Sequence, residues 1–446
     1  MDDSVDVGVL SFHNSKETKV ILNAVEDMGH RGHWLRPETL VVEISDGAVT
    51  LEPDVDVIVN RLLLSNTEHP AELLGLAKSL ARLRPTLNRP ENVLAAFHKF
   101  ATATAMADGV RIPDSVLALD ADRLNALRDR FGPEVVYKTA IGTHGGGTWK
   151  IGPGESVNPR VGDRYAFLQE LIELPETDRS SDVRVYVVDG EILGAMRRYA
   201  PDNDWRTNVS LGGEYEAVTD LPAEAAEMAR EATARVGLEY AGVDLVEGAD
   251  GWYLLEVNPT AGFRGFFAST GINPGAAIAA LAVETAGGAV SADRVEELQG
   301  VFDDSMPELV AGPAQTEGRE RSTIGYTEEV LVSGTSGTER VLAKSDTGAS
   351  RTSVDTRLAA EIGAGPIKSM TTVRSGSTKT GKSRPVVDVV VGIGGDRHTV
   401  AASLEDRSHM EYPLLLGRDI LEHYQVDVSR TAGPDHDEEE EEQDEE

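Results

Sequence analysis

The sequence predicts a mixed α/β protein of two or three domains that ends in a small all-β domain. Its 446 residues are about three times the usual length of one domain. Over residues 1–88, apolar runs of strand length alternate with amphipathic helical patterns, and such alternation implies a largely parallel sheet. Over residues 325–430, β-branched residues and glycines outweigh helical patterns, which is typical of a small β-domain.

Composition restricts the class of protein before any motif is considered. Lys and Arg number 42 against 76 Asp and Glu, so the net charge is −34, and 40% of the residues are apolar. This apolar fraction is ample for a core, whereas the negative charge argues against nucleic acids and anionic membranes as partners. The absence of Cys excludes disulfides, thiolate catalysis and Cys-ligated zinc.

The distribution of charge predicts the environment of the protein. Residues 435–446 hold ten of the acids, and we expect 431–446 to form a disordered acidic tail. Only 10 of the 42 basic residues are Lys, which favours a halophilic protein kept soluble in concentrated salt. No apolar run reaches the roughly 18 residues of a membrane span, and the N-terminus lacks a basic signal region, so we expect a cytoplasmic location.

The first block, 1–88, is predicted to be a small α/β domain. Buried strands are expected at 5–10 and 55–59, and helices at 17–28 and 68–83. Gly29 follows the first helix at the position where a left-handed residue commonly ends a helix.

The second block, 89–300, combines helices with antiparallel hairpins. Asp189-Gly190 is a strong turn dipeptide, and Pro222 and Gly237 flank a helical pattern. The predicted elements are a helix at 91–107, a strand at 135–139, a hairpin of 183–188 with 191–196, a helix at 222–236, and a second hairpin of 240–246 with 252–257.

Two lysines and a glycine-rich loop indicate a phosphate-binding site. Lys138 ends a predicted strand. The loop that follows contains Gly145, Gly146 and Gly147, which let backbone N–H groups approach phosphate oxygens. In a chain with few lysines, Lys138 and Lys99 are candidate partners of nucleotide phosphates. The loop has neither the Walker A nor the Rossmann pattern, and solvent-exposed lysines beside a plain turn are the alternative.

Oxygen ligands for a divalent cation are predicted on two neighbouring strands. Asp244 lies on the first strand. Glu256 and Asn258 lie two residues apart on the second, so their side chains point the same way. Two carboxylates and an amide oxygen suit Mg²⁺ held between protein and nucleotide phosphates. A polar strand face with an ion pair across the hairpin is the alternative.

Taken in order along the chain, these motifs resemble the ATP-grasp fold, with an N-terminal α/β domain in front of it. The similarity is greatest to the RimK-type branch, whose members ligate amino acids to carboxylates, and it covers roughly residues 5–286. The segments that carry it are 88–92 with Lys99 and 112–113, Lys138 before the glycine loop, 169–172, 182–184, 204–208, 241–244 and 256–258.

The resemblance implies a role for each candidate residue and two cofactors, ATP and Mg²⁺, with Mn²⁺ as a possible substitute. Lys99, Lys138 and the glycine loop would contact phosphates. Glu170 and Ile172 would lie at the adenine, and Asp182 near the ribose or the phosphates. Asp244, Glu256 and Asn258 would hold two Mg²⁺ ions. The residues that would bind the transferred phosphoryl group and the acyl phosphate are Arg184, Arg198, Arg206 and Asn208.

The implied reaction is a carboxylate–amine ligation in two displacements. The carboxylate of a small-molecule or peptide acceptor attacks the γ-phosphoryl group of ATP, and the amine of an amino acid, such as glutamate, then attacks the acyl phosphate. Positioning and charge neutralisation would supply most of the catalysis. The alternatives are a peptidase regulated by an ATP-binding module and a nucleotide-binding scaffold without turnover.

The C-terminal block, 325–430, follows a predicted linker at 301–324. Its Asp346-Thr-Gly-Ala motif and the later segment 413–421 resemble the retropepsin-like domain that is often called an ATP-dependent zinc protease. One Asp-Thr-Gly motif supplies one carboxylate, so an aspartic peptidase site with Asp346 as catalytic residue would require two chains. We therefore expect a dimer or higher homo-oligomer. A docking β-domain with Asp346 in a turn is the alternative.

Zinc has no support in the sequence of this block. There is no His-Glu-x-x-His motif and no Cys, and His398, His409 and His423 are scattered along it. We therefore predict no zinc site.

Overall fold

The chain divides into two compact units, residues 1–314 and 315–446. The structure is a computed structural model, and it describes residues 4–13, 15–64, 70–142, 147–162, 164–174, 179–201, 205–207, 214–307, 321–365, 367, 369–373 and 382–432.

The first unit begins with a parallel four-stranded sheet, as the βα alternation predicts. Ser15 caps the first helix by accepting from the backbone N–H of Thr18, and the helix buries Val20, Ile21 and Val25 against the sheet. The elements are β1 (Asp6–Leu10), α1 (Lys16–Asp27), β2 (Arg31–Leu35), a hairpin of β3 (Val41–Ser45) and β4 (Ala48–Glu52), β5 (Val57–Asn60), α2 (Pro70–Leu80) and β6 (Thr86–Leu87). The order in the sheet is β2-β1-β5-β6.

The helix predicted over 91–107 is wrong as a single element. Two helices replace it, α3 (Pro90–Phe97) and α4 (Lys99–Met106). His98 breaks the helix because its backbone is extended and forms a β-bridge with Ile141. The Nδ1 atom of His98 accepts from the N–H of Ala101, so the same residue ends one helix and caps the next. The break places Lys99 at the first position of α4.

A small antiparallel sheet follows, and it carries Lys138. Its elements are β7 (Ser115–Val116), α5 (Ala121–Arg128), β8 (Val135–Thr139), β9 (Thr148–Ile151), β10 (Arg160–Val161) and β11 (Arg164–Glu170). The order is β10-β11-β8-β9, with β7 paired to β11. Phe167 pairs in register with Lys138, so the lysine lies near the middle of the sheet.

A five-stranded antiparallel sheet carries the predicted metal ligands. Its elements are β12 (Ser181–Val188), β13 (Glu191–Tyr199), β14 (Glu214–Val218), α6 (Ala223–Val236), β15 (Tyr240–Gly248) and β16 (Gly251–Asn258), and α7 (Arg264–Thr270), α8 (Pro274–Thr285) and α9 (Ala292–Gln299) follow it. The strand order is β14-β13-β12-β15-β16. Buried residues of this sheet, α6 and the N-terminal domain form one continuous core, so the two sheets pack against shared side chains.

The second unit is mostly β. Its elements are β17 (Thr323–Gly325), β18 (Thr327–Ser333), β19 (Thr338–Ser345), β20 (Ser353–Asp355), α10 (Thr356–Ile362), β21 (Ser369–Val373), β22 (Lys382–Ile393), β23 (Asp396–Glu405), β24 (Leu414–Leu416), α11 (Arg418–Leu421) and β25 (Gln425–Asp427). The main sheet has the order β18-β19-β24-β20-β23-β22-β21, and β18 also pairs with β22, which closes the sheet on itself.

Within the described ranges, no single helix is long and apolar enough to cross a membrane. The bent pair α7 and α8, which meet at 113°, passes that test only when both are counted together, and by length and composition alone.

Candidate active site

A cleft of about 320 Å³ lies between the small sheet and the five-stranded sheet. It brings together predicted site residues that are far apart in the sequence. These are Lys99, Lys138, Glu170, Ile172, Asp182, Arg198, Arg206, Asp244 and Glu256.

Other predicted residues lie outside the lining of this cleft. Arg184 lies behind it, bonded to Asp244. Asn258 lines smaller crevices that continue from Glu256. Gly147 is held against the end of β8, where a Cβ atom would lie 2.2 Å from Thr139 Oγ1, so this close approach requires glycine. Gly145, Gly146 and Asn208 lie outside the described residues, and Asp346 belongs to the second unit.

Lys138 is a cation without an ion-pair partner in the described part of the chain. Its Nζ donates to Oε1 of Gln169 on the adjacent strand β11. Burial and the neighbouring charge of Lys99 lower the pKa of Lys138 to about 8, although Glu256 opposes the shift. Two neighbouring ammonium groups form a favourable position for phosphate oxygens.

Lys99 is paired with a predicted metal ligand. Its Nζ lies 2.7 Å from Oε2 of Glu256, and both side chains are largely buried. The backbone N–H of Lys99 donates to the carbonyl of Ala140 at 2.8 Å. The backbone thus fixes Lys99 relative to the strand that carries Lys138.

Four charged side chains alternate in sign across three strands of the larger sheet. Arg198 donates to both oxygens of Asp182 at 2.6 Å, and its Nη2 also lies 2.9 Å from Asp244. Arg184 donates to both oxygens of Asp244, at 2.6 and 2.7 Å. Buried carboxylates require such partners, since an unpaired charge in the interior is strongly destabilising.

The pKa values of the two carboxylates in this row shift in opposite directions. Burial alone would raise the pKa of Asp244, but Arg184 and Arg198 lower it to about 2. Burial raises the pKa of Asp182 against the effect of Arg198, and the nearby Asp244 adds to the rise. Arg184 and Arg198 therefore keep Asp244 ionised near neutral pH.

The predicted oxygen ligands lie together at the end of the hairpin. Asp244 pairs in register with Glu256, and Gly242 with Asn258, so the three side chains lie within one or two residues of each other across β15 and β16. Glu256 lines both the main cleft and the crevice that contains Asn258. Within the described ranges, no group of three His, Cys, Asp or Glu side chains is placed to hold a metal ion. Two carboxylates and one amide oxygen are donors that suit Mg²⁺ arriving with phosphates. In this structure Lys99 bonds Glu256, Arg184 and Arg198 bond Asp244, and the N–H of Thr260 bonds Oδ1 of Asn258, so these donors would have to exchange partners for a metal.

Three residues of the cleft are missed by the sequence patterns. Gln169 holds Lys138, and Thr207 Oγ1 donates to Asp182. Lys150 is exposed and also lines the cleft, with its Nζ 5.0 Å from the ring centroid of Trp205. The alternation along β9 could have revealed this position, because Lys150 pairs with Val136, which also lines the cleft.

One end of the cleft is apolar, as an adenine ring requires. Glu170 borders this end, and its backbone N–H donates to the carbonyl of Asp114. The apolar lining residues are Pro113, Val136, Leu171, Ile172, Leu174, Val246 and Leu255.

Comparisons with known proteins agree with this geometry. Residues 98–282 match the RimK-like ATP-grasp domain family. A probable alpha-L-glutamate ligase from Xanthomonas oryzae pv. oryzae is 30% identical over 291 residues, which cover 61% of this chain and 95% of the relative. The chain belongs to the RimK-like ATP-grasp ligases. The ligase joins a carboxylate to an amine at the expense of ATP, as its sequence predicts.

Two further relatives support the assignment. The tetrahydromethanopterin:alpha-L-glutamate ligase of Methanocaldococcus jannaschii is 30% identical over 205 residues, which cover 44% of this chain and 69% of that protein. The structure of the ATP-grasp ligase PsnB, complexed with minimal precursor, superposes with a TM-score of 0.50 at 19% identity, over 63% of this chain and 100% of that one. The similarity to the PsnB structure confirms the ATP-grasp fold.

The second unit contains the two predicted retropepsin-like motifs side by side. Asp346 Oδ1 accepts from the backbone N–H groups of Gly348 and Ala349, and the N–H of Asp346 donates to Leu416. The N–H of Arg418 donates to the carbonyl of Ala349. Residues 359–434 match the retropepsin-like aspartic endopeptidase RimB family, which confirms the resemblance. Asp346 itself precedes the matched stretch.

Two of the three histidines that are scattered in the sequence meet in this unit. The rings of His398 and His423 stack with centroids 5.1 Å apart, and His398 Nε2 lies 2.6 Å from the hydroxyl of Tyr424. His398 and His423 are therefore neighbours in the fold although 25 residues separate them in the sequence.

Proposed function

We propose that the ligase adds L-glutamate to a carboxylate of a peptide or small-molecule acceptor through an acyl phosphate, with ATP and Mg²⁺. One observation carries the proposal: Lys99, Lys138, Asp244 and Glu256 line a single cleft together with many apolar residues. Such a cleft suits a nucleotide with its phosphates at the charged end. The names of the Xanthomonas and Methanocaldococcus relatives support glutamate as the amine.

Each charged residue then has a physical task. Lys99 and Lys138 neutralise phosphate oxygens, and Arg198 and Arg206 neutralise charge on the transferred phosphoryl group, because guanidinium groups match such oxygens. Asp244, Glu256 and Asn258 would hold Mg²⁺, which neutralises charge on the phosphates and orients them. Lys99 must leave Glu256 when this carboxylate takes up a cation, and it then becomes available to phosphate.

A second function follows for the C-terminal unit. We propose that it cleaves peptides with Asp346 when two copies of the chain associate, since the unit supplies one such carboxylate. The match of residues 359–434 to an aspartic endopeptidase family favours this over a docking role. The test is cleavage of oligoglutamyl peptides by the full-length protein and by Asp346→Asn. Equal cleavage by both would overturn the proposal, and so would the absence of cleavage by the wild type.

We also propose that the protein works in a saline cytoplasm. The net charge of −34 and the small number of lysines support this.

The test of the ligase function uses the full-length protein in molar salt. It is incubated with ATP, Mg²⁺, isotopically labelled L-glutamate and a panel of peptides that end in glutamate, and products are detected by mass spectrometry. We expect labelled products one or more glutamyl residues heavier than the peptides, together with phosphate release. Products that form without ATP, or labelled amino acids other than glutamate that are added preferentially, would contradict the proposal.

A further inference from the structure

Arg61 is a buried cation outside the nucleotide cleft. It directly follows β5, it is 3% exposed, and its Nη2 donates weakly to the carbonyl oxygens of Thr260 and Ala261, at 3.4 and 3.3 Å. Its Nε and Nη1 have no hydrogen-bond partner among the residues the structure describes. Native proteins rarely leave buried donors unpaired. The unpaired groups therefore indicate an acceptor that arrives with a ligand.

Glu17 places the opposite charge close to Arg61. Its Oε1 accepts from the backbone N–H of Phe263 at 3.3 Å, and its Oε2 accepts from the hydroxyl of Ser15 at 2.8 Å. Burial alone would raise the pKa of Glu17, but Arg61 and these hydrogen bonds lower it. A carboxylate offers about four lone-pair positions, so Glu17 can still accept from a ligand.

The other groups around Arg61 carry little competing charge. Burial and Arg61 itself lower the pKa of His13, so this imidazole is neutral near pH 7. Burial raises the pKa of both Tyr186 and Tyr240, so these phenols are neutral as well. Glu17 is thus the single charge that opposes Arg61 within this described cluster.

The Arg61 cluster lies next to the reaction centre. The loop 259–263, which Arg61 and Glu17 both contact, begins directly after Asn258, a predicted ligand of Mg²⁺. Arg61, Asn258 and Phe263 line one narrow crevice, so the cluster adjoins the end of β16; the crevice is too narrow for a water molecule, and a ligand would have to widen it. A ligand held by Arg61 would therefore lie beside the site where the acyl phosphate forms.

We propose that Arg61 and Glu17 form the subsite for the amino-acid substrate, with Arg61 binding its α-carboxylate and Glu17 binding its α-ammonium group. A guanidinium group next to a carboxylate complements the two charges of a zwitterion, and the fork of Arg matches a carboxylate. The inference rests on the proposed function, because it assigns the position of the amine substrate in that reaction. The simpler reading is that both side chains only fasten loop 259–263, where Arg61 also stacks over the ring of Phe263 at 5.0 Å; it leaves Nε and Nη1 of Arg61 without an acceptor.

The test measures binding of three probes by calorimetry. The full-length protein is saturated with Mg²⁺ and a non-hydrolysable ATP analogue, and then titrated with L-glutamate, with its α-amide, and with glutarate, which lacks the amino group. We expect the wild type to prefer L-glutamate to both analogues by on the order of 10²-fold, since each analogue leaves a buried charge unpaired. Arg61→Met should lose the preference over the amide, and Glu17→Gln the preference over glutarate. Arg82→Met, an exposed arginine of the same domain, is the matched control.

The outcomes separate the subsite from a structural role and from the proposed function. Equal binding of the three probes by the wild type, or a preference over the amide that survives in Arg61→Met, would overturn the inference. A variant with equally reduced affinity for all three probes would indicate that the side chain only holds loop 259–263 in place. A variant that still binds the ATP analogue is folded. If Arg61→Met does not fold, Arg61→Lys is measured in its place, because it keeps the positive charge but lacks the forked guanidinium. Selective binding of L-glutamate without any ligated product would reject the proposed function and leave the subsite standing.

Discussion

The Nζ of Lys99 bonds Oε2 of Glu256 at 2.7 Å, so a candidate phosphate-binding cation and a candidate metal-binding carboxylate neutralise each other. The pair lies at the point where the main cleft meets the crevice of Asn258. In the proposed function, both partners would exchange one charged neighbour for another, which would avoid the cost of a buried isolated charge.

Glu256→Gln should lower the ligation rate by on the order of 10²- to 10³-fold, because a neutral amide neutralises neither the metal nor Lys99. Phosphate release under saturating ATP and L-glutamate is the measurement. The matched control is Glu247→Gln, an exposed glutamate of strand β15, which should keep the wild-type rate. A Glu256→Gln enzyme with wild-type turnover would remove this residue from the metal set.

Affinity for a non-hydrolysable ATP analogue should fall as the pH rises above about 8. Lys138, whose pKa is lowered to about 8, then loses the charge that attracts phosphate. Lys138→Met should bind the analogue weakly at all pH values and lack this pH dependence. Lys78→Met, an exposed lysine on α2, should match the wild type in a calorimetric series from pH 6.5 to 9.5. A wild-type affinity that is constant across the series would contradict the role of Lys138.

Arg198→Met should destabilise the first unit by about 3–5 kcal/mol, because it removes the guanidinium that bridges buried Asp182 and Asp244 and leaves Arg184 bonded to Asp244 alone. Arg197→Met, on the other face of β13, loses only a hydrogen bond to Ser181 and should change stability by less than about 1 kcal/mol. Thermal unfolding in molar salt compares the two. Similar melting temperatures would show that Arg184 alone compensates both carboxylates.

The full-length protein should be at least a dimer, and removal of residues 325–446 should lower its oligomeric state without affecting ATP binding. The reason is that the C-terminal unit provides a single Asp346, while a carboxylate pair needs two. Light scattering of both forms in molar salt tests this. A monomer that still cleaves peptides in an Asp346-dependent manner would show that the site is complete in one chain.

Structure should be lost as salt is lowered from molar concentration to dilute buffer. Repulsion among the acidic side chains then extends from about 3 Å at 1 M to about 30 Å at 0.01 M. Circular dichroism at both limits is the measurement. Deletion of residues 435–446 should leave the dependence in place, since most of the charge lies elsewhere. An unchanged spectrum at low salt would reject the halophilic interpretation.

Much of the site could be predicted because its signals are local. The spacing of Glu256 and Asn258 fixes a common strand face, and the turn at 249–251 pairs that strand with Asp244. The break at His98 could not be predicted, because the extended backbone there depends on a bridge to Ile141, 43 residues later. Arg61 was missed for a similar reason. One arginine after a buried strand carries no pattern, and its significance lies in the donors left unpaired.

The bridge between His98 and Ile141 has a mechanical consequence. It joins the first turn of α4 to the end of β8, and the N–H of Lys99 strengthens the joint by donating to Ala140. The backbones of Lys99 and Lys138 are therefore held together, although the two residues belong to different elements. The backbone therefore fixes the separation of the two residues, whereas their flexible side chains remain free to adjust the two ammonium groups to a phosphate chain.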